Sequence, residues 1–516
     1  MSQIFIVDIE AYKTTATAGT VTLRYSYQKE ITIGGNLYKP WVEKPLIFGQ
    51  SISLDSSFGG NFSSTSGEIT LINRERILDV LATDYIFAGK TITLKMYDTV
   101  SLTTTILSVQ KMESPTFEWN RISIPLANEA DKLDKPLQTK LYLGNNTLPA
   151  GVEGITELKD KPKPITLGRC TNISPVLVNT SKLIYQVSSE PCEQIVSVMS
   201  NGAYVSFGSV QGTLANLLLD TNAPNAGYYS WYSGAEGTFF RLAMESGDVT
   251  CTVWEKISPI FNSVSAIIQR VLTLAGYTSA NWNAADFTYI DSLQGDSLGY
   301  FVSDTTTITD ILNQLCQSIS VWWGFDYTGI FRLFYFGDFT TTQLADIKFN
   351  SSGNTQGITS LDISGASYNG KTAPVKEIKL NYDKNWTVQD KASIAGIIVT
   401  DYPDRATWLG QEFRKISSSV TVTGLTNAQI MEYETLLVSE FAAKAEVDRL
   451  LALTSTQKFF YNCVAVLTLN ELKSLVPCGI VKITLPRYDL AAGKTLMIIS
   501  MEIDYEYLTA NLVLWG

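Results

Sequence analysis

Alternation of apolar and polar residues predicts that most of the first 135 residues are β-strand. An apolar side chain at every second position is the period of a strand with one buried face. Gly34 and Gly35 interrupt one such run and predict a tight hairpin turn. The alternating runs are residues 21–27, 31–41, 67–74, 91–97 and 122–127. Residues 1–135 are therefore predicted to form a β domain that is able to close into a barrel.

The next segment is also β-rich but is broken by more turns. Residues 137–164 are a turn-rich connection, and 209–237 are rich in Gly, Ala, Asn and Tyr, which predicts a loop. We expect residues 136–255 to form a β-rich linker or insertion domain. Its predicted strands are 182–188, 203–208, 238–244 and 249–255.

Apolar residues recur with a helical period further along the chain. Residues 257–276 place Phe261 and Val264 on one predicted helical face, and Thr307 is a predicted N-cap before the apolar residues of 305–326. A strand with Trp322 and Trp323 follows. The pattern indicates a small α/β domain over residues 256–345.

The last part again combines strands with a helix. Residues 425–453 have helical spacing, with Thr426 and Gln429 as a predicted capping box. Four closing runs have strand character: 463–469, 479–486, 496–507 and 509–516. Residues 346–516 are therefore predicted to be a C-terminal β-barrel domain with one long helix.

A chain of 516 residues is long enough for about three or four domains. The predicted fold class is mainly β with α+β insertions, comprising two β-barrel domains and a small α/β domain. No apolar run reaches the roughly 18 residues of a membrane span, and no signal-peptide pattern occurs at the N-terminus. We expect a chain that is made and folded in a cytosol.

Charge and composition exclude several classes of function. The net charge is −11, whereas a general nucleic-acid binder would be basic. The absence of histidine excludes Ser-His-Asp triads, Cys-His dyads and histidine-bound zinc. The six cysteines show no C-x-x-C spacing. We expect buried reduced thiols, although a Cys170–Cys192 disulfide stays open.

One basic stretch offers two interpretations. Lys159, Lys161, Lys163 and Arg169 lie close together in sequence and alternate with Pro162 and Pro164. Four cations in one segment could grip a phosphate or a carboxylate. A rigid crossing between packed domains is favoured, because each proline pushes the preceding residue towards extended geometry and acidic residues interleave with the lysines.

Two further patterns suggest chemistry on sugars. Asp286 and Asp304 are among the aspartates between residues 286 and 326, and a pair of carboxylates is what glycoside hydrolysis needs. Tyr228, Tyr229 and Trp231 could form an exposed aromatic patch that binds glycans. Turn and cap roles for the aspartates, and a packed loop for the aromatic residues, are the favoured interpretations.

Three stretches together resemble the tail hub (tail-tip or baseplate hub) proteins of long-tailed bacteriophages, including prophage and gene-transfer-agent forms. The first is residues 37–98. The second is GITELKDKPKPITLGRCTNISPVLVN (154–179), and the third is PCGIVKITLPRYDLAAGKTLMIISMEIDYEYLTANLVLWG (477–516). The residues that match the family pattern are Lys163, Pro164, Gly168, Arg169, Pro486, Arg487, Tyr488, Gly493, Lys494, Leu514, Trp515 and Gly516.

The resemblance implies a structural virion protein without catalytic residues, metal or cofactor. It implies a homotrimer whose subunits each supply two tube-like barrels. A tail tube or distal tail protein would lie above it and a central fibre or tip protein below, with DNA passing through the lumen without specific binding. The expected location is the tail tip of a virion assembled in the bacterial cytoplasm. A receptor- or carbohydrate-binding tail protein and a lytic enzyme are the alternatives.

Overall fold

The computed structural model describes residues 3–15, 18–54, 58–65, 67–147, 150–244, 247–337, 339, 343–348, 357–367, 373–424, 427–488 and 490–516. The chain is mainly β and multi-domain, as predicted, and its described strands form five sheets. Among the described residues, no helix has the length and apolar character that crossing a membrane requires.

The strands up to residue 254 are β1 (Gln3–Lys13), β2 (Gly19–Tyr27), β3 (Ile31–Ile33), β4 (Asn36–Val42), β5 (Ile47–Ser51), β6 (Gly60–Asn61), β7 (Ser63–Thr65), β8 (Glu68–Ile72), β9 (Tyr85–Ile86), β10 (Thr91–Asp98), β11 (Thr103–Lys111), β12 (Thr116–Phe117), β13 (Arg121–Pro125), β14 (Ile165–Ile173), β15 (Val176–Asn179), β16 (Ile184–Ser188), β17 (Gln194–Ser200), β18 (Ala203–Val210), β19 (Tyr228–Gly234), β20 (Gly237–Leu242) and β21 (Val249–Trp254).

The later strands are β22 (Gly299–Val302), β23 (Val321–Phe325), β24 (Phe331–Tyr335), β25 (Gln343–Lys348), β26 (Gly357–Gly365), β27 (Val375–Tyr382), β28 (Arg414–Ser419), β29 (Gln429–Glu434), β30 (Phe459–Val466), β31 (Ile480–Thr484), β32 (Lys494–Asp504) and β33 (Thr509–Trp515). The helices are α1 (Val80–Asp84), α2 (Leu214–Leu218), α3 (Val264–Leu274), α4 (Ala284–Leu293), α5 (Ile308–Gln317), α6 (Gly396–Asp401), α7 (Pro403–Leu409), α8 (Glu440–Thr454) and α9 (Leu469–Ser474).

The first sheet closes into a barrel. Its strands pair in the order β11-β10-β1-β2-β4-β8-β13. The two ends of this order then meet, because the Ala127 N–H donates to the Lys111 carbonyl at 2.8 Å and the Glu113 N–H to the Pro125 carbonyl at 2.9 Å. Closure removes exposed strand edges, which otherwise invite pairing with other chains. Gly34 and Gly35 both have positive φ, as the predicted hairpin turn between β3 and β4 requires.

The C-terminal strands form an open half-barrel. Their order is β25-β31-β32-β33-β30-β26, with β32 and β33 in the centre. No backbone pairing between β25 and β26 occurs among the described residues. Ile498 and Leu512 of this sheet belong to the same hydrophobic cluster as Ile9 and Leu71 of the barrel. The barrel and the half-barrel therefore share one core.

A nine-stranded sheet occupies the middle of the chain, in the order β15-β16-β20-β19-β18-β17-β21-β14-β22. Helices α3, α4 and α5 and the β23–β24 hairpin form a second large core beside it. Helix α8 packs on the three-stranded sheet β28-β27-β29 and joins that core.

An arm of the barrel reaches into the other parts of the chain. The arm comprises residues 43–54, 58–65 and 67, between β4 and β8. Its strand β5 pairs with β32 of the half-barrel, and β6 pairs with β23 of the α/β part. Phe58 and Phe62 are 3% and 2% exposed in the second core. A mobile Gly/Ser-rich loop is the natural prediction for residues 56–67. That prediction is wrong for the described part, because two aromatic side chains insert into the core.

Two helix predictions need correction. Residues 429–434 of the predicted helix 425–453 form strand β29, and the helix begins only at Glu440, with Ser439 as its N-cap. Parallel pairing with β27 outweighs the local helical spacing. The predicted cap Thr426 lies outside the described residues. Helix α3 begins at Val264 instead of near 257, which leaves Phe261 at 61% exposure.

Replacement of Gly59 by Ala should destabilise the arm. A Cβ at Gly59 would lie 2.8 Å from both the Cys316 and the Val321 carbonyl oxygens, and backbone atoms cannot move aside cheaply. We expect a loss of about 1–3 kcal/mol, seen as a lower Tm and a lower urea midpoint. Gly212→Ala is the matched control, since nothing lies within 4 Å of a Cβ there. Equal effects of the two changes would contradict the packed arm.

Candidate functional site

The basic stretch is a structural crossing whose central lysine is already neutralised. The Lys163 ammonium lies 2.6 Å from a Glu153 carboxylate oxygen and 5.4 Å from the centre of the Tyr142 ring. The Lys163 carbonyl accepts from the Gln138 side chain at 2.6 Å. Lys159 and Lys161 are exposed. Since Lys163 is committed to Glu153, the stretch does not present the cations of a phosphate clamp together.

Gly168 allows the chain to turn within β14. Its φ is +67°, and a Cβ there would lie 2.2 Å from the Leu298 carbonyl oxygen. Only glycine fits both the left-handed backbone and the close approach of β22. Before this residue β14 pairs with β22, and after it the strand pairs with β21.

Arg169 holds the strand against the loop that follows β21. Its guanidinium carbon lies 4.1 Å from the centre of the Trp254 ring, and its Nη2 donates to the Ile257 carbonyl at 2.6 Å. Partial burial lowers the pKa of Arg169. These contacts support the anchoring role that the sequence suggests for this arginine.

A buried carboxylate completes the crossing. Glu255 is 6% exposed, accepts from the Gly168 N–H at 2.9 Å and lies 3.3 Å from the Arg270 Nε. Burial raises the pKa of Glu255, and the Gly168 N–H and the charge of Arg270 offset part of that rise. Arg270 also pairs with Glu190 at 2.9 Å. Sequence reasoning missed this network, because its members are far apart in the chain.

The family-matching residues 486–494 lie in and beside the turn that connects β31 to β32 of the half-barrel. Arg487 lies 4.6 Å from the Tyr488 ring centre in the exposed turn that also contains Pro486. Gly493 has a φ of +82°, and a Cβ there would lie 2.1 Å from the Lys482 Cε. Lys494 donates to the Tyr461 hydroxyl at 2.8 Å. This turn and the Gly168 crossing lie in different sheets.

The last residues of the motif are core residues. Trp515 is fully buried, and its ring stacks on Phe339 with centroids 5.5 Å apart. Leu514 is also fully buried, and Gly516 exchanges backbone hydrogen bonds with Phe459 at 3.1 and 3.2 Å. The residues of this region that match the family pattern therefore have packing roles.

The aromatic residues considered for glycan binding are mostly packed, as the favoured interpretation has it, but they lie in a strand. Residues 228–234 are strand β19 instead of a loop. Tyr229 and Trp231 are 3% and 9% exposed, and only Tyr228, at 44%, is open to solvent. The Tyr229 ring packs edge-on against Phe240 with centroids 6.2 Å apart. Strand alternation turns these side chains into the core of the nine-stranded sheet.

The candidate carboxylates have structural partners. Asp286 accepts from the Arg332 Nε at 2.6 Å and from the Leu333 N–H at 3.2 Å. Asp304 accepts from the Thr306 N–H at 2.8 Å and so stabilises a turn. Asp304 therefore has the turn role favoured from the sequence, whereas Asp286 is the ion-pair partner of Arg332. Within the described ranges, no group of three or more Cys, Asp or Glu side chains could hold a metal ion.

The cysteines are six buried free thiols, so Cys170 and Cys192 are not joined. Burial raises the pKa of Cys192 to about 12 and that of Cys170 well above its ordinary value. Because the thiolate is the reactive form, these cysteines are poor nucleophiles and act as small apolar side chains.

Sequence reasoning also missed the residues that join the parts of the chain. Phe58 and Phe62 were detectable as two large aromatic residues within a run of glycine and serine. Glu446 left no such signal. It is 1% exposed and lies 2.6 Å from Arg449, three residues on in α8, while Ser320 donates to it at 2.6 Å. This buried pair ties α8 to the start of the β23–β24 hairpin.

Comparisons with known proteins give the following findings. No protein-family model matches the sequence, and a search of curated proteins finds no match. A tail protein from Neisseria meningitidis MC58 is 8% identical, with 94% of each chain covered and a TM-score of 0.35. The 43 kDa tail protein of prophage MuSo2 from Shewanella oneidensis is 10% identical, with 99% of this chain and 98% of that chain covered and a TM-score of 0.39. A chain of the native gene transfer agent virion is 10% identical, with 69% of this chain and 84% of that chain covered and a TM-score of 0.41.

Arg169→Ala should lower the stability of the folded chain. The change removes a cation–π contact and a hydrogen bond to a carbonyl, which together contribute about 1–3 kcal/mol. Thermal unfolding followed by circular dichroism measures the effect. Arg487→Ala also removes an arginine stacked on an aromatic ring, but in an exposed turn, and should change stability by less than about 0.5 kcal/mol. An unchanged Tm for Arg169→Ala would remove the anchoring role.

Glu255 should make stability fall as pH rises. Its pKa in the folded state is raised above the ordinary 4.5, so between these two values the folded state holds the proton more tightly than the unfolded state. The unfolding free energy of the wild type minus that of Glu255→Gln should therefore decline with pH across this window and then level off. Urea denaturation at a series of pH values measures this difference.

Glu193→Gln is the control for this pH dependence, because it should behave in the opposite way. The Ile257 N–H and Lys256 lower the pKa of the Glu193 carboxyl, so its contribution should grow as pH rises towards 4.5. A difference for Glu255→Gln that is constant with pH would contradict its role as a buried carboxyl group.

Proposed function

We propose that this chain is a structural protein of a bacteriophage tail, a homotrimeric hub at the distal tip. The observation that carries the proposal is the single core shared by the barrel and the half-barrel. Ile9 and Leu71 of one pack in the same cluster as Ile498 and Leu512 of the other. A subunit built in this way presents two β units in a fixed relation.

In a symmetric assembly, the fixed relation between the two β units sets how the units are arranged around the axis. A trimer of subunits with two β units each would present about six similar units around one axis, which is the symmetry of a hexameric tail tube. The hub would bind a tail tube or distal tail protein above and a central fibre or tip protein below. The arm supports the proposal, because its strand β5 pairs with β32 of the half-barrel and so ties the two β units to each other.

The negative net charge of the chain is compatible with the wall of a channel through which DNA passes. The net charge of −11 disfavours adhesion of the phosphate backbone, so DNA would pass through the lumen without specific binding. The protein would be assembled in the bacterial cytoplasm and would act in the virion as a structural component, without a catalytic site. In this proposal Lys163, Pro164, Gly168 and Arg169 fix the crossing, and Gly493, Leu514, Trp515 and Gly516 fix the half-barrel.

Native mass spectrometry and negative-stain electron microscopy of the purified protein test the proposal. We expect a trimer that forms a ring with a central channel, either alone or after mixing with its tube protein. Retention on a DNA column should be negligible at low salt. A stable monomer that forms no ring, even with the tube protein present, would contradict the hub.

A further inference from the structure

One arginine on the surface is stacked between tyrosines from distant parts of the chain. The Arg405 guanidinium carbon lies 4.0 Å from the ring centre of Tyr204 and 5.1 Å from that of Tyr402. Tyr204 is in β18, whereas Tyr402 is the N-cap of α7. The tyrosines are 59% and 52% exposed. The fold therefore brings a cation and two aromatic rings together at the surface.

The stack is mounted rigidly on the nine-stranded sheet. Ile394, just before α6, and Leu409, the last residue of α7, are buried in the same hydrophobic cluster as Met199 of β17. The Ala395 N–H donates to the Asn201 carbonyl at 2.8 Å. At Gly202 a Cβ would lie 2.6 Å from Leu409, so the helical pair sits close to the β17–β18 turn. Side chains ordered before binding lose little entropy when a partner docks.

Arg405 differs from most arginines of this acidic chain. Arg332, Arg414 and Arg449 each pair with a carboxylate. For Arg405, the part of the chain that the structure describes supplies neither an ion pair nor a hydrogen bond. Cation–π contacts use the charge of the guanidinium but not its in-plane N–H donors. Those donors match a carboxylate, which binds arginine in a bidentate manner.

A third tyrosine extends the surface. Tyr228 of β19 pairs with Ser206 of β18, two residues beyond Tyr204, so strand alternation places Tyr204 and Tyr228 on the same face of the sheet. Tyr228 is 44% exposed. Tyrosine and arginine, together with tryptophan, are enriched among the residues that dominate binding energy at protein interfaces.

We propose that Tyr204, Tyr402 and Arg405 form a docking surface for an acidic segment of a second copy of this chain. Charge complementarity selects the occupant. Each copy carries 50 acidic and 39 basic residues, so it exposes an excess of carboxylates, while Arg405 offers donors without a carboxylate partner in its own described chain. The contact rests on the proposed function, in which copies lie side by side.

Self-association of the full-length chain tests the proposal. Sedimentation velocity over a range of protein concentrations should show that Arg405→Ala weakens association by at least about thirtyfold, as expected for a hot-spot residue. Arg405→Lys keeps the charge but not the planar donors and should restore only part of the association. Tyr204→Phe keeps the ring and should associate like the wild type, whereas Tyr204→Ala should resemble Arg405→Ala. Higher salt should weaken the wild-type contact and have less effect on Arg405→Ala.

Arg487→Ala is the matched control, since it removes another exposed arginine stacked on a tyrosine. Its association should equal that of the wild type, and an unchanged Tm must accompany each Arg405 variant. Association of Arg405→Ala at wild-type strength would overturn the inference, as would a wild-type protein that stays monomeric. The inference would also be overturned if Arg405→Ala lost binding to an acidic oligosaccharide but kept wild-type self-association.

The same measurements separate this inference from the hub. A ring that forms with Arg405→Ala as readily as with the wild type leaves the hub standing and removes the docking surface. Self-association that needs Arg405 but never produces a ring keeps the docking surface and removes the hub.

Discussion

Burial of the arm is the constraint on which the rest of the structure depends. Residues that begin in the barrel complete a sheet of the half-barrel and a sheet of the α/β part. Phe48 packs against Tyr327 and Tyr505, with ring centroids 4.7 and 5.4 Å apart, and so joins three regions of the chain. A Cβ on Gly324 would lie only 2.6 Å from the Phe62 ring, so the ring packs directly on the glycine. Separation of the parts would expose these rings to water, which is unfavourable for large aromatic side chains.

The crossing at Gly168 uses a different kind of interaction. Here a backbone N–H, a buried carboxylate and two arginines hold β14 between its neighbours. A carboxylate this deeply buried is tolerated because it has both a hydrogen-bond donor and a cation beside it. The crossing and the arm together fix the positions of the β units at the places where they meet.

Local patterns and tertiary contacts disagreed at identifiable residues. Ile430, Tyr433 and Leu437 have helical spacing, yet residues 429–434 pair with β27 as a strand. The four-residue spacing of Tyr433 and Leu437 fits both a helix and a strand. The three-residue spacing of Ile430 and Tyr433 fits a helix, and the parallel pairing with β27 overrode it. Tyr229 and Trp231 looked like a binding patch because sequence does not say which face of a strand is covered. The Arg405 surface had no sequence signal, since Tyr204 and Arg405 are 201 residues apart.

The sequence by itself determined the mainly β class, the Gly34–Gly35 hairpin, the Thr307 cap and the closing strands, because each depends on neighbours within a few residues. It also determined the absence of histidine chemistry and the acidic charge. Only the tertiary structure decided the closure of the barrel, the insertion of Phe58 and Phe62, and the surroundings of Glu255. These features depend on which distant segments meet, and the free energy of their meeting comes from burial and pairing that no local pattern encodes.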